Sequence, residues 1–378
     1  MKSEIETRSF SDVLEIRNGK DQKKVQSPDG AYPIYGSGGE MGRASAYLCP
    51  AETIILGRKG SINSPIFVRE PFWNVDTAFG LIANRNILDP VYLFHFCKSF
   101  DFSKLNTTVT IPSLTKANLL KVRLPVPSME TQKSIAARLG KVCDLIDKRQ
   151  AQLAQLDTLA KSLFVEMFGD PVDNPMRWET KPILSLGECR NGLNFAPNES
   201  GFSIPCIGVS DFKDRAIITR EIPLQEVSLA GKPAESQLLR DGDFLFVRSN
   251  GNKALVGRCV LVLRDGAMTT FSGFCIRFRL HSHMPIAPRY LLHVFRSDSI
   301  RRKLAGRGAN IQNMSQKTLE PLSIPVPPLS LQRTFVERIE AIDKSKFAIL
   351  RWLSYFDREA ATKSARRGLS PAPWRDCD

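Results

Sequence analysis

The sequence predicts an α+β fold made of two β-rich domains in tandem repeat and two long helices that pair as a coiled coil. Three observations carry this prediction. The chain of 378 residues repeats itself once over nearly its whole length. Each copy begins with short β-branched or aromatic runs, which Gly, Pro, Asn and Asp interrupt. Each copy ends in a long segment whose apolar residues recur at alternating spacings of three and four.

Matching blocks in the same order define the repeat. The paired blocks are Arg17-Asn18-Gly19 and Arg190-Asn191-Gly192, the apolar runs that end at Arg58 and Arg248, Pro90 to His95 and Pro288 to His293, and Pro125 to Gln132 and Pro325 to Gln332. The offset grows from 173 to 200 residues, so the second copy carries extra residues mainly within 209–240 and 259–287. Two related modules with different specificities would share such blocks and differ in the residues between them.

The heptad segments predict two long helices. Their apolar seam positions are Ile135, Leu139, Val142, Ile146, Leu153 and Leu156 in the first copy, and Phe335, Ile339, Ile342, Ile349, Leu353 and Phe356 in the second. Each seam holds one polar residue, Arg149 or Lys346, and such residues commonly fix the register of a coiled coil. The first helix would be ~50 Å long at about 1.5 Å per residue. The alternative is that each helix packs only on its own domain.

Charge and composition narrow the function. The net charge is +14 and the pI is near 9.5, which suits a polyanionic partner such as DNA, because Lys and Arg neutralise phosphates. No run approaches the ~18 apolar residues of a membrane helix, and the first residues lack the apolar core of a secretory signal. We therefore expect a cytoplasmic location. The eight cysteines include no C-x-x-C pair, so no metal site is predicted.

Common catalytic motifs are missing from the sequence. We find no G-x-x-x-x-G-K-[ST], G-x-G-x-x-G, H-E-x-x-H or G-x-S-x-G, and no N-P-P-[YF] run of the kind that amino-methyltransferases use. The sequence thus predicts a binding and scaffolding protein, with no catalytic residue and no cofactor of its own.

Polar residues in Gly-rich loops are the candidates for DNA contact. Base edges are read by Arg, Lys, Asn and Gln side chains, and glycine lets the backbone approach closely. The candidates are Ser37, Arg43, Arg58, Lys59, Ser61, Asn63, Lys104 and Asn106 in the first copy, and Arg248, Asn250, Asn252, Lys253, Arg307, Asn310 and Gln312 in the second. The competing interpretation is that these are solvated surface loops.

The residues resemble the specificity subunit of type I restriction–modification systems. The resemblance covers about residues 8–368 and rests on the junctions PVPSMETQKSIAARL and PVPPLSLQRTFVERI, on YPIYGSGG, GRKGS and PFWNVDTAF, and on the MFGD helix end. It implies two target recognition domains, each reading one part of a split DNA sequence. It also implies that the two helices pack antiparallel as a ruler between them. The expected divisions are 1–127 and 171–327 for the recognition domains, 128–170 and 328–369 for the helices, and 370–378 for a tail.

The resemblance also implies partners. Two modification subunits would carry the adenine-N6 methyltransferase and S-adenosylmethionine, and restriction subunits would carry ATP- and Mg-dependent translocation and cleavage. The chain itself would be non-catalytic. Three alternatives stay open at this stage: an orphan or silent specificity cassette, a nuclease with an unrecognised site, and an adaptor whose charge serves an acidic protein.

Overall fold

The computed structural model describes residues 5–105, 113–195, 200–213, 215–305 and 314–366. Residue contacts divide the chain into two compact units. Unit 1 comprises Met1–Leu153 and Phe347–Asp378, and unit 2 comprises Ala154–Lys346. Each unit therefore contains one copy of the β-rich repeat together with parts of both long helices.

Unit 1 is built around a four-stranded sheet. The strands of the whole unit are β1 (Thr7–Ser9), β2 (Leu14–Asn18), β3 (Tyr32–Gly36), β4 (Gly39–Ala44), β5 (Thr53–Gly57), β6 (Ile66–Val68), β7 (Trp73–Asn74), β8 (Ala78–Ala83) and β9 (Arg123–Pro125). Its helices are α1 (Phe10–Val13), α2 (Pro90–Ser99), α3 (Lys116–Leu120) and the start of α4 (Met129–Phe168). The sheets run β2-β8-β5-β6, β4-β3-β7 and β1-β9.

Apolar sequence explains the centre of this unit. Every residue of β5 is buried, and so is nearly every residue of β8, as expected for strands covered on both faces. Helix α2 contacts both strands. Asp89 caps α2 by accepting a hydrogen bond from the Tyr92 amide at 2.9 Å, and Pro90 occupies the first turn.

Unit 2 repeats this plan with a larger sheet. Its strands are β10 (Thr180–Pro182), β11 (Gly187–Asn191), β12 (Phe202–Ile207), β13 (Ile217–Thr219), β14 (Gln225–Leu229), β15 (Phe244–Val247), β16 (Cys259–Leu263), β17 (Thr270–Phe271), β18 (Cys275–Leu280) and β19 (Ser323–Pro325). Its helices are α5 (Ile183–Leu186), α6 (Pro288–Arg296), α7 (Asp298–Ala305), α8 (Gln316–Leu319) and the start of α9 (Leu329–Arg366). The sheets run β11-β18-β15-β16-β13, β14-β12-β17 and β10-β19.

The fifth strand of the unit 2 sheet lies in extra sequence. In unit 1, β3 and β4 form a tight hairpin, whereas the corresponding pair β12 and β14 is joined by residues 208–224. Strand β13 lies within that connection and pairs with β16 in parallel. The insert therefore widens the sheet instead of forming a separate subdomain.

A buried glutamine explains the Pro-Val-Pro-x-x-x-x-Gln junction of unit 1. The Gln132 side chain donates to the carbonyl oxygens of Pro127 and Ile87 at 2.8 and 2.9 Å, and it accepts from the Asp89 amide at 2.9 Å. Its exposed fraction is 0%. One side chain thus ties the first turn of α4 to the loop that precedes α2, and satisfies three backbone groups there.

The second junction has the same bonds. Gln332 donates to Pro327 and Pro285 at 2.8 and 3.1 Å and accepts from the Ala287 amide at 2.8 Å. Tyr92 and Tyr290 add equivalent hydrogen bonds to the strands before the two helices, each at 2.9 Å. The blocks with an offset of 200 residues are therefore structural junctions.

The two long helices pack against each other within unit 2 in opposite directions. Phe164 and Phe168 of α4 contact Phe335 of α9, with ring centroids 5.6 and 5.3 Å apart, while Asp157, earlier in α4, forms an ion pair with Lys346, later in α9. Within unit 1, the Arg149 guanidinium lies 5.9 Å from the Trp352 ring centre. The predicted coiled coil of antiparallel helices is confirmed.

Both polar seam residues have polar partners: Arg149 donates to the side-chain oxygen of Gln152 at 2.8 Å, and Lys346 pairs with Asp157. Helix α4 ends at Phe168, and the following Gly169 has a φ of +76°, the left-handed conformation that favours glycine just after a helix. In the part of the chain that the structure describes, no helix has the length and apolar character required to cross a membrane.

Candidate nucleic-acid interface

Three candidate segments of unit 1 come together where β5 ends. A Cβ atom on Gly57 would lie 2.3 Å from the Ser61 carbonyl oxygen and 3.1 Å from the Ser37 Cβ. The loop of residues 58–63 therefore folds back over Gly57, beside the β3–β4 turn that holds Ser37. Gly60 makes the bend with a φ of +76°. No side chain at position 57 would allow this approach.

Arg58 and Lys59 are exposed on a fixed backbone. The Arg58 amide donates to the Thr77 carbonyl at 2.8 Å, and the Arg58 carbonyl accepts from the Leu114 amide at 2.9 Å. Lys59 forms a β-bridge with Ser113. The Arg58 guanidinium lies 5.9 Å from the Phe79 ring centre. Two cations are thus presented by a backbone that is hydrogen-bonded on both sides.

Asn63 holds the next segment in place. Its side-chain oxygen accepts from the Phe102 amide at 2.7 Å and its nitrogen donates to Asp101 at 3.0 Å. These bonds bring the 3₁₀ helix Phe102–Leu105, with the exposed Lys104, against the 58–63 loop. We call Ser37, residues 58–63 and Phe102–Leu105 loop cluster 1. Asn63 acts there as a positioning residue.

Arg43 is not brought into loop cluster 1. Its guanidinium donates to the carbonyl oxygens of Gly30 and Ala31 at 3.1 and 3.0 Å, and it lies 3.9 Å from Glu40. These contacts tie β4 to the connection that precedes β3. The geometry is that of a brace between two backbone segments.

Arg248 occupies in unit 2 the place that Arg58 occupies in unit 1. Its amide donates to the Phe274 carbonyl at 2.7 Å, and its carbonyl accepts from the Met314 amide at 2.7 Å. Its side chain is half-buried, with the guanidinium 3.5 Å from the Gly273 carbonyl oxygen. The backbone frame is shared between the two arginines, whereas the exposure of their side chains differs.

The loop after Arg248 is organised by its own asparagines. The Asn250 oxygen accepts from the Asn252 amide at 2.8 Å, and the Asn252 oxygen accepts from the Ala254 amide at 3.0 Å. Arg301 of α7 donates to the Ala254 carbonyl at 3.2 Å. We call residues 248–255 and 272–274 loop cluster 2.

Comparison with known proteins identifies the family. The family described as type I restriction modification DNA specificity domain matches residues 2–158 and 175–353, which is most of the chain. The chain belongs to this family. Among its curated relatives, the type I restriction enzyme StySPI specificity subunit of Salmonella potsdam is 26% identical over 325 residues, covering 79% of this chain and 69% of the relative. The EcoKI specificity subunit of Escherichia coli K12 is also 26% identical, over 329 residues.

Solved structures agree on the fold of this specificity family. A type I restriction-modification S subunit from M. genitalium superposes with a TM-score of 0.57 at 16% identity, covering 94% of both chains. A chain from work on complex assembly of the type I R-M system gives 0.55 at 17% identity, also covering 94% of both. Both the predicted family and the predicted fold class are therefore confirmed.

Several candidate residues of this specificity-family chain lie outside the described part. These are Asn106, Arg307, Asn310 and Gln312, together with the side chains of Lys253 and Phe356. The other seam residues are buried or half-buried, namely Ile135, Leu139, Val142, Ile146, Leu153, Leu156, Phe335, Ile339, Ile342, Ile349 and Leu353. Among the described residues, no three His, Cys, Asp or Glu side chains are grouped closely enough to hold a metal ion.

Sequence reasoning overlooked two features of the candidate interface. The first is the contribution of residues 272–274, because no charged or amide side chain marks that turn. The second is the role of Thr77 and Phe274, whose carbonyl oxygens hold Arg58 and Arg248. Thr77 directly precedes β8 and Phe274 directly precedes the corresponding strand β18, so an alignment of the two copies could have identified both residues.

Proposed function

We propose that this chain supplies the DNA sequence specificity of a type I restriction–modification complex, and that each unit binds one part of a split target through its loop cluster. One observation carries the proposal most directly: Arg58 and Arg248 sit on the same backbone frame in different surroundings. A shared frame with different side chains is what two modules need in order to read different bases from similar docking geometries.

The chemistry of the loops supports DNA as the ligand. Loop cluster 1 presents Arg58, Lys59 and Lys104 on its exposed side, and loop cluster 2 holds Arg248 and two asparagines. Arginine reads guanine and asparagine reads adenine in the major groove. The net charge of +14 supplies the sequence-independent attraction to phosphates.

The catalytic steps belong to partners in this proposal. Two modification subunits would bind S-adenosylmethionine and methylate adenine at N6, and restriction subunits would use ATP and Mg²⁺ to translocate and cleave DNA. The relatives are named as specificity subunits of restriction enzymes, and this chain would direct such partners to the target without reacting itself.

The first test maps N6-methyladenine by long-read sequencing in cells with and without the gene, with the neighbouring methyltransferase gene present. We expect a split motif that disappears when the gene is removed. The loss of a continuous motif, or methylation that persists unchanged, would contradict the proposal.

The second test assigns each loop cluster to one half of that motif. Arg58→Ala with Lys59→Ala should weaken binding of the assembled complex about 10- to 100-fold, and scrambling the first half should then cost little more. Arg248→Ala is the matched variant and should remove discrimination at the second half alone. Equal losses at both halves in either variant would show that the clusters do not read separate halves.

A further inference from the structure

Phe274 is an exposed aromatic residue inside loop cluster 2. Its exposed fraction is 61%, although apolar side chains in the adjoining strands β17 and β18 are buried. A single exposed apolar side chain is common on protein surfaces. Its position is what distinguishes Phe274, because its own carbonyl oxygen accepts the hydrogen bond from the Arg248 amide at 2.7 Å.

The turn that carries Phe274 is braced on both sides. The Gly273 amide donates to the Leu193 carbonyl at 2.7 Å, and a Cβ atom at Gly273 would fall 1.9 Å from the Asn194 side-chain oxygen. The Phe274 amide donates to the Ser272 hydroxyl at 3.3 Å. The backbone is therefore fixed, and the aromatic ring is presented at the surface without being needed to fill the core.

Unit 1 has a different residue at the same place in the frame. Thr77 precedes β8 as Phe274 precedes β18, and the Thr77 carbonyl accepts from the Arg58 amide at 2.8 Å. The hydrogen bond is thus independent of the side chain, which is free to differ between units. A position with a fixed backbone and a variable, exposed side chain beside a base-reading arginine is suited to determine specificity.

We propose that Phe274 contacts the methyl group of a thymine in the major groove of the second half of the DNA target. The inference rests on the proposed function of loop cluster 2. A phenyl ring offers no hydrogen bond to a phosphate or an amide edge, and the thymine methyl is the apolar group that B-DNA displays in the major groove. The neighbours Arg248, Asn250 and Asn252 are of the types that read base edges in the same groove.

The experiment removes that methyl group from the DNA. The chain is purified with its partner subunits, and each thymine of the second half is replaced in turn by deoxyuridine. For the natural chain, one replacement should weaken binding about fourfold, as expected for exposing one buried methyl group. Phe274→Ala should bind unmodified DNA about tenfold more weakly and should no longer respond to that replacement.

Two further variants control the measurement. Phe274→Leu keeps an apolar side chain and should retain most of the response to deoxyuridine. Met268→Ala removes another exposed apolar side chain of unit 2, at the end of β16 that lies away from loop cluster 2, and should behave as the natural chain does. Hydrogen exchange of β15 and β18 would verify that each variant is folded.

Three results would overturn the inference. The first is that the second half of the target contains no thymine. The second is that the natural chain binds every deoxyuridine-substituted DNA as tightly as unmodified DNA. The third is that Phe274→Ala keeps the full loss of affinity on deoxyuridine replacement. If the natural chain does not respond to any deoxyuridine and Phe274→Ala still binds more weakly, the ring would instead act as a wedge between base pairs. If Arg248→Ala leaves second-half recognition intact, the proposed function of loop cluster 2 fails, and that failure is separate from the behaviour of Phe274.

Discussion

The two units have the same hydrogen-bonded junctions but differ in the polarity of their central sheets. Gln132 and Gln332 make three equivalent bonds each. In the central sheets, however, the places of Thr53 and Ile82 in unit 1, next to the paired Ile54 and Leu81, are taken in unit 2 by Asp243 and Arg279, next to the paired Phe244 and Phe278. Asp243 and Arg279 form an ion pair. The junctions determine how each long helix begins, so their bonds are the same in both units. The sheet only has to remain packed, so two residues that contact each other can differ together between the units.

A neighbouring position shows a second coordinated change. Gly80 of β8 corresponds to Arg277 of β18, which is 0% exposed and donates to Glu188 at 2.6 Å. A Cβ atom at Gly80 would approach the Cys49 sulfur to 2.5 Å. Unit 1 thus has no room for a side chain where unit 2 buries an arginine. The two units share a backbone arrangement but pack different side chains inside it.

The largest effect should come from breaking the buried ion pair of unit 2. Arg279 donates twice to Asp243, at 2.7 Å each, and Asp243 is 1% exposed. Arg279→Ile leaves a carboxylate buried without its partner, which should lower the free energy of unfolding of unit 2 by about 3–5 kcal/mol. Urea unfolding followed by hydrogen exchange in β15 would measure the loss.

The matched double variant tests whether the units are exchangeable at this position. Asp243→Thr with Arg279→Ile installs the residues of unit 1 and removes both charges together. We expect it to be less destabilised than Arg279→Ile alone, because no buried charge is left unpaired. A double variant at least as unstable as the single one would mean that the ion pair is required by the wider sheet and not merely tolerated.

Acidification should lower the free energy of unfolding by less than the loss of the ion pair does. This decrease should be greater in unit 2 than in unit 1. Burial lowers the pKa of His293 from its ordinary value of 6.5 to about 4, and the ring packs against Phe164 and Phe335. The unfolded chain therefore binds a proton at a higher pH than the folded chain does. Stability is fully present above pH 6.5 and falls by at most about 3 kcal/mol as the pH drops towards 4.

The control for this prediction is His293→Phe, which cannot be protonated. Its urea midpoint should vary less between pH 6.5 and 4 than that of the natural chain. Burial also lowers the pKa of His95, the equivalent residue of unit 1, so exchange in α2 provides an internal comparison. An unchanged pH dependence in His293→Phe would assign the acid sensitivity to other groups.

The sequence was sufficient to predict the repeat, the paired helices and the family, because each depends on spacings that can be read along the chain. The interface was less predictable because its contacts join distant segments. The side-chain amide of Asn63 forms hydrogen bonds with Asp101 and Phe102, which lie 38 and 39 residues away in the sequence. Nothing local distinguishes such an asparagine from one that faces DNA.

Phe274 is the reverse case, an exposed residue that the sequence does not mark as a candidate. The candidates predicted from the sequence are polar side chains in Gly-rich loops, whereas a phenylalanine beside a strand is expected to lie in the core. Only the structure places the ring at the surface beside Arg248. Residue type therefore draws attention to Arg58 and Arg248, but it does not indicate which residues surround them.

The smallest effect on DNA binding should come from Arg43. The sequence placed it with Arg58 among the residues that contact DNA, but its guanidinium is engaged by the carbonyl oxygens of Gly30 and Ala31. Arg43→Ala should change the affinity of the complex for the first half of the target less than about twofold, against about tenfold or more for Arg58→Ala. It should mainly reduce stability, by about 1 kcal/mol, through the lost hydrogen bonds. Fluorescence anisotropy with each half scrambled separates these outcomes, since a loss of first-half discrimination equal to that of Arg58→Ala would make Arg43 a reading residue and would extend the interface of unit 1 along β4.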